Sequence, residues 1–437
     1  MSLKIFEKLE SEVRGYIRSF PVLFKRAKGA QLWDENNKNY IDFFSGAGTL
    51  NYGHNHPALK QVALEYIASD GVIHGLDMAT EAKKDFIETF DSLILQPRGM
   101  QYKLQFTGPT GTNAVEAALK IARQVKGRSN IISFTNGFHG VSGGSLATTG
   151  NSKFRNASGV SLGDVVFMPY CDYFGESFDT IDHIDKLLSD SSSGIDHPAA
   201  VIVETVQGEG GVNAASFAWL KRLELLCERH DMLLIIDDIQ VGCGRTGSFF
   251  SFEGANIFPD IITLSKSLSG YGLPMALVLM KPEHDVWDVG AHNGTFRGNN
   301  LAFVTATETL RKFWDDDIFQ DDIERKGAII ESWLRHISEI YPEGNFSVRG
   351  RGMMRGLHSE DPKLIHAIAS AAFKHGVVIE TSGSKDDVLK ILAPLTISDE
   401  LLREGLLTIE SCVAQELGVS GRKKENVRPL MSAGRSS

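Results

Sequence analysis

The sequence predicts an α/β protein whose mainly parallel sheet is sandwiched between helices, and three observations carry that prediction. Short β-branched runs alternate with longer amphipathic stretches through the middle of the chain. Five of these runs, Ile131–Phe134, Ala200–Glu204, Met232–Ile236, Ile261–Leu264 and Met275–Leu279, are almost continuously apolar, as strands covered on both faces must be. Helical patterns lie between several of them, including Asn113–Val125, closed by Gly127, and Ala218–His230.

The ends of the chain read differently. Residues 1–55 hold one helix-like stretch and then short strands at Gln31–Asp34 and Tyr40–Phe44. From about residue 320 a helical pattern gives way to short strands at Gly350–Gly356 and Val377–Ile379. At 437 residues two domains are expected, because a single core stops growing well below that length. After Gly418 the periodicity is lost and the chain becomes a basic tail, read as a solvated end.

Composition narrows the function. With 42% hydrophobic and 23% charged residues the chain is an ordinary globular one. It has no apolar run of about 18 residues to span a membrane, and its charged N-terminus lacks the apolar segment of a signal peptide. A net charge of −10 argues against nucleic acid as a partner, since phosphate binding needs clustered cations. Cys171, Cys227, Cys243 and Cys412 show no metal-ligand spacing, so free thiols in a reducing cytoplasm and no metal site are expected.

Five segments carry chemistry. Phe106-Thr107-Gly108-Pro109-Thr110-Gly111-Thr112 precedes the helix read as opening at Asn113, so its glycines let helix-terminal amides approach an anion. Taken alone it reads more readily as an ordinary Gly/Thr turn capped by Thr112. Asp237 ends an apolar strand, where a half-desolvated carboxylate needs a partner. Lys266 follows another buried strand and precedes small residues, a position in which burial lowers an amine's pKa toward reactivity. Phe138, in Gly137-Phe138-His139-Gly140, offers a ring either to a planar cofactor or to the core. Gly242-Cys243-Gly244-Arg245-Thr246-Gly247 spells GxGxxG, but no helix pattern follows to receive a pyrophosphate, which argues against a dinucleotide. An anion cradle, a stacking ring, a carboxylate and an amine at one sheet edge are what pyridoxal phosphate requires.

At this point the chain resembles the class III (ω-amino acid) aminotransferases of pyridoxal-phosphate fold type I. The resemblance rests on Gly53-His54-Asn55-His56-Pro57, Thr110–Glu116, Phe138-His139-Gly140, Glu204–Gly211, Asp237–Gly247, Ser265-Lys266 and Thr295-Phe296, and it covers about residues 10 to 415. It implies a large cofactor-binding domain over 59–318. It further implies a smaller α+β domain built from 1–58 and 319–419, with a flexible tail expected at 420–437. It also implies that Gly111 and Thr112 bind the phosphate, Phe138 stacks on the pyridine ring and Asp237 pairs with the ring nitrogen. Gln240 would bond the ring hydroxyl, and Lys266 would hold the cofactor covalently. Thr295 would reach the phosphate of a neighbouring subunit, making a homodimer or higher oligomer the working unit.

Within the family, the segments SEVRGYIRSFPVLF, GAGTLNYGHNHP and HGLDMAT resemble the members that make 2,4-diaminobutyrate from L-glutamate and L-aspartate 4-semialdehyde at the start of ectoine biosynthesis. A siderophore pathway, another ω-amine or an amino-group shift within one molecule are the alternatives. Two departures bear on the substrate. A gating glutamate, here Glu209, commonly pairs with an arginine near the C-terminal Ala-Pro-Leu, and this chain places Lys390 there. Arg297 stands where relatives carry glycine, and either a substrate carboxylate or an acid across the subunit interface would suit it.

Overall fold

The structure is a computed structural model and describes residues 3–419, so the expected tail at 420–437 lies outside the described residues. Its centre is a seven-stranded sheet in the order Lys103–Phe106, Leu277–Met280, Ile261–Leu264, Leu233–Asp237, Ala200–Val203, Ile131–Phe134 and Val165–Met168. Leu277–Met280 runs antiparallel to both its neighbours, while the strands from Ile261–Leu264 to Val165–Met168 run parallel. The alternation along each strand explains the apolar runs. Ile131, Ala200, Ile202, Leu233, Ile235 and Ile261 pack on one face, against Ala114, Val115, Ala118 and Ile121 of the helix Gly111–Lys126. Ile132, Phe134, Val201, Val203, Leu234 and Ile236 face the other side and join the main core with Trp219, Leu220 and Leu223 of the helix Phe217–Arg229.

Two smaller sheets flank it. Phe24–Lys28, Gln31–Asp34 and Asn39–Asp42 are joined by Val377–Val378, so strands from both ends of the chain share one sheet. Phe346–Arg351, Met354–Ser359, Val388–Ile391 and Glu380–Ser382 form an antiparallel sheet packed beside the helices Ile318–Ile340 and Pro362–Lys374. The strand expected at Gly350–Gly356 is instead the corner of a hairpin. Gly352 turns the chain at φ +59°, and a Cβ there would lie 2.4 Å from the Thr246 backbone.

The helix expected from Asn113 begins two residues earlier. Thr110, not Thr112, caps it in a reciprocal capping box with Asn113, so Gly111 and Thr112 form its first turn. The GxGxxG segment opens no helix; it runs through turns. Its Arg245 is fully buried and donates to the Ala393 carbonyl and the Asn51 side chain, each at 2.6 Å, tying three segments together.

Candidate active site

The site forms where the parallel strands end. Asp237 is the last residue of its strand and is 3% exposed. Its carboxylate accepts from Thr263 Oγ1 at 3.1 Å and the Ile239 amide at 3.2 Å, and it contacts His139 Nδ1 at 2.7 Å. Burial works against a charged His139, but the Asp237 hydrogen bond and charge and the Glu204 charge outweigh it and raise its pKa. Glu204, also buried, accepts the Phe138 amide at 2.8 Å. Burial pushes its carboxyl up to about 7 although His139 pulls it down.

Lys266 begins a short 3₁₀ turn one residue after Ile261–Leu264 and adopts φ +45°, a left-handed conformation that is uncommon for residues other than glycine. Burial lowers its pKa and the Lys390 ammonium adds to this, while Glu209, Glu380 and Asp237 oppose them. These charges act on one amine, so the residues share one site.

Gln240 donates through Nε2 to the Ala47 carbonyl at 3.0 Å and to Glu209 Oε1 at 3.1 Å, which fixes the orientation of its amide. Its Oε1 is buried with no hydrogen-bond partner. An acceptor held in this way calls for a donor from a bound group. Glu209 is held down to about 2: burial alone would raise it, but the charges of Lys390 and Lys266 prevail. Lys390 is fully buried and lies 2.7 Å from Glu209 Oε1 and 2.9 Å from Glu380 Oε1. The lysine that the sequence places before Ala393-Pro394-Leu395 therefore does contact Glu209.

The helix terminus is equally defined. Gly111 packs against Ile239, where an added Cβ would lie 3.0 Å from its side chain, placing the helix beside the Asp237–Gln240 segment. Thr112 Oγ1 lies 3.0 Å from Ser142 Oγ and also contacts Ser145. Gly140 passes so close that a Cβ would fall 2.5 Å from Thr112 Oγ1. Phe138 leaves part of its ring uncovered and packs its edge on Phe154, with centroids 5.4 Å apart.

Thr295 and Arg297 lie on a largely exposed segment whose Gly294 approaches Gly108, and neither contacts Lys266, Asp237 or Gln240 through a hydrogen bond or ion pair. Arg297 pairs with Asp77 of its own chain, an acid that neither sequence alternative included. Sequence reasoning missed Glu380 and the His139–Asp237 contact. His139 had a local signal beside Phe138; Glu380 had none, since an acid in Ile379-Glu380-Thr381 reads as a solvated strand residue.

A parallel sheet with a half-buried lysine, a buried carboxylate and a helix terminus at its carboxyl edge is the framework of a pyridoxal-phosphate aminotransferase, and this chain belongs to the class III aminotransferase family, whose model matches residues 14–413. It is an aminotransferase of fold type I and its cofactor is pyridoxal 5′-phosphate. Among its relatives, the diaminobutyrate–2-oxoglutarate transaminase of Bordetella parapertussis is 67% identical over 418 residues, covering 95% of this chain and 96% of the relative. The protein of the same name from Halomonas elongata is 58% identical, covering 95% and 99%. The ornithine aminotransferase of Toxoplasma gondii superposes with a TM-score of 0.81 at 26% identity, covering 95% and 94%. No helix among the described residues is long and apolar enough to cross a membrane.

Proposed function

We propose that the protein transfers an amino group from L-glutamate to L-aspartate 4-semialdehyde, giving L-2,4-diaminobutyrate and 2-oxoglutarate. The observation that carries this reading is 67% identity, over nearly the whole chain, to a diaminobutyrate–2-oxoglutarate transaminase. The motif resemblance extends the proposal to the first committed step of ectoine biosynthesis, in the cytoplasm.

The site's residues fit the cofactor. The first-turn amides of Gly111 and Thr112, with the Thr112 hydroxyl, would hold the phosphate at the helix terminus. The part-exposed Phe138 ring would cover one face of the pyridine, Gln240 Oε1 would accept its hydroxyl, and Asp237 would meet its nitrogen. Bound there, pyridoxal phosphate supplies an electron sink for the carbon that carries the amine. His139 and Thr263 hold the Asp237 carboxylate in the orientation from which it would meet that ring. Lys266 Nζ, with its pKa lowered, accepts the proton from the amine-bearing carbon of the substrate. Glu209 would face the remote end of the substrate, with the buried Lys390 ammonium behind it.

The active unit in this reading is a homodimer. Exposed Val72, Ile73, Met78 and Phe296 lie on two adjoining segments, joined by a His74–Asn299 bridge and by His74 packing on Phe296 with centroids 5.6 Å apart. An apolar patch of this kind is a candidate protein contact, and in this reading the exposed Thr295, next to Phe296 in the chain, would reach the phosphate of the neighbouring subunit. The division into a 59–318 domain and a smaller one from both ends belongs to the same proposal, with both ends meeting in one sheet as support.

The test is a half-reaction. L-Glutamate alone should bleach the holoenzyme's absorbance near about 400 nm with release of 2-oxoglutarate, and aspartate 4-semialdehyde should restore it with formation of diaminobutyrate. Restoration without diaminobutyrate in the product would sink the substrate assignment.

A further inference from the structure

The buried ammonium of Lys390 has two carboxylate neighbours, and they differ in kind. Glu380 stands directly opposite Lys390 in the antiparallel ladder between Glu380–Ser382 and Val388–Ile391, so the backbone fixes this pair. Its side chain is only 7% exposed. Glu209 comes from the turn between Val206–Gln207 and Asn213–Ala214, and its side chain is 28% exposed. One acid is built into the sheet behind the lysine; the other is the member of the cluster that a substrate can meet.

Glu380 is also under electrostatic tension. Burial pushes its carboxyl up, Lys390 pulls it back and Glu209 pushes it up again. Its Oε1 is buried without a hydrogen bond although it lies 2.9 Å from the ammonium, and Oε2 accepts the Tyr16 hydroxyl at 3.4 Å. An acid kept in such a place does not serve packing, where an apolar side chain would do as well.

We propose that Glu380 is a specificity-determining residue: as the permanent counter-ion of Lys390 it leaves one surplus negative charge, presented at Glu209, which selects substrates carrying an ammonium at the end remote from the reacting amine. The charge count is one ammonium against two carboxylates. The inference rests on the proposed function and deepens it. When 2,4-diaminobutyrate reacts through its terminal amine, it turns an α-ammonium and an α-carboxylate toward the cluster, and the ammonium meets Glu209. Glutamate turns a second carboxylate there and gains from Lys390 only what Glu380 leaves uncompensated.

The experiment compares two amine donors on the holoenzyme with 2-oxoglutarate as acceptor: 2,4-diaminobutyrate and 4-aminobutyrate, which lacks only the α-ammonium. Wild type should favour the first by about tenfold or more in kcat/KM, as one unit charge felt at short range allows. Glu380→Gln should remove about tenfold of that preference, read as the ratio of kcat/KM between the two donors, so that any common effect on turnover cancels. The double variant Glu380→Gln/Lys390→Met keeps one surplus negative charge and should keep the preference. A residue that merely holds the fold would lower kcat for both donors alike. The proposal is overturned if wild type shows no preference, if Glu380→Gln retains it, or if the double variant loses it. Ornithine and 5-aminovalerate supply the same contrast one methylene longer. A preference within that pair, sensitive to Glu380→Gln, together with no turnover of diaminobutyrate, would overturn the proposed substrate and leave the role of Glu380 standing.

Discussion

His139 Nδ1 lies 2.7 Å from Asp237 Oδ2, and both residues are 3% exposed. The contact joins the loop after one strand to the end of another, with the strand Ala200–Val203 between them in the sheet. Two consequences follow, one for stability and one for catalysis.

The raised pKa of His139 gives the stability a defined pH dependence. A histidine whose folded pKa exceeds its unfolded value near about 6.5 stabilises fully below that value and loses the contribution as pH rises through the folded pKa. The stability gap between wild type and His139→Gln should therefore be wider at about pH 6 than at about pH 9, measured as melting temperature in calorimetry. A gap that grows toward alkaline pH would show that His139 does not carry the charge.

Catalysis should depend far more on Asp237 than on its neighbour Gln240. Asp237→Ala removes the carboxylate proposed to meet the ring nitrogen and is expected to lower kcat by about 10³, whereas Gln240→Ala removes one neutral acceptor and costs about tenfold. Lys266→Ala should abolish turnover while the folded chain persists. Single-turnover absorbance with glutamate separates these effects from loss of cofactor.

Lys390→Met leaves Glu209 and Glu380 without their cation, and breaking a buried ion pair on one side typically costs about 3 kcal/mol or more. Adding Glu380→Gln should recover a large part of that loss, because the more deeply buried acid is then neutral. Chemical denaturation of the four members of the cycle measures the coupling. Strict additivity would show that the two residues do not stabilise one another.

Gly208 has no room for a side chain, since a Cβ would fall 1.8 Å from Gln240 Oε1. Gly208→Ala should displace the Gln240 amide from Ala47 and Glu209 and weaken cofactor binding by about tenfold, with little change in far-ultraviolet circular dichroism. Equilibrium dialysis of pyridoxal phosphate reads the effect; unchanged affinity would remove Gln240 from the cofactor site.

The apolar patch gives a test of assembly. Ile73→Glu places a charge among Val72, Met78 and Phe296 and should shift sedimentation toward monomer, with loss of activity in the same fractions. An active monomer would separate Thr295 from the neighbouring site.

The sequence by itself determined five of the seven strands of the central sheet, because strands covered on both faces must be largely apolar, as Ile131–Phe134 and Ile261–Leu264 are apart from Ser133 and Thr263; the edge strands Lys103–Phe106 and Val165–Met168 were not among them. It placed Asp237 and Lys266 at strand ends for the same reason: chemistry follows an apolar run where the sheet stops. It misjudged Gly350–Gly356, since whether a glycine pair lies within a strand or turns a hairpin depends on what the backbone packs against, here Thr246. The helix start at Gly111 was missed because Thr110 and Thr112 are equally good caps until Asn113 closes the box with one of them. Glu380 was beyond sequence reading altogether. Its meaning comes from lying opposite Lys390 across a ladder and within reach of Tyr16, which is 364 residues away along the chain. Local pattern reports burial and periodicity; charge balance in a buried cluster is set by which distant strands come together, and only the tertiary structure decides that.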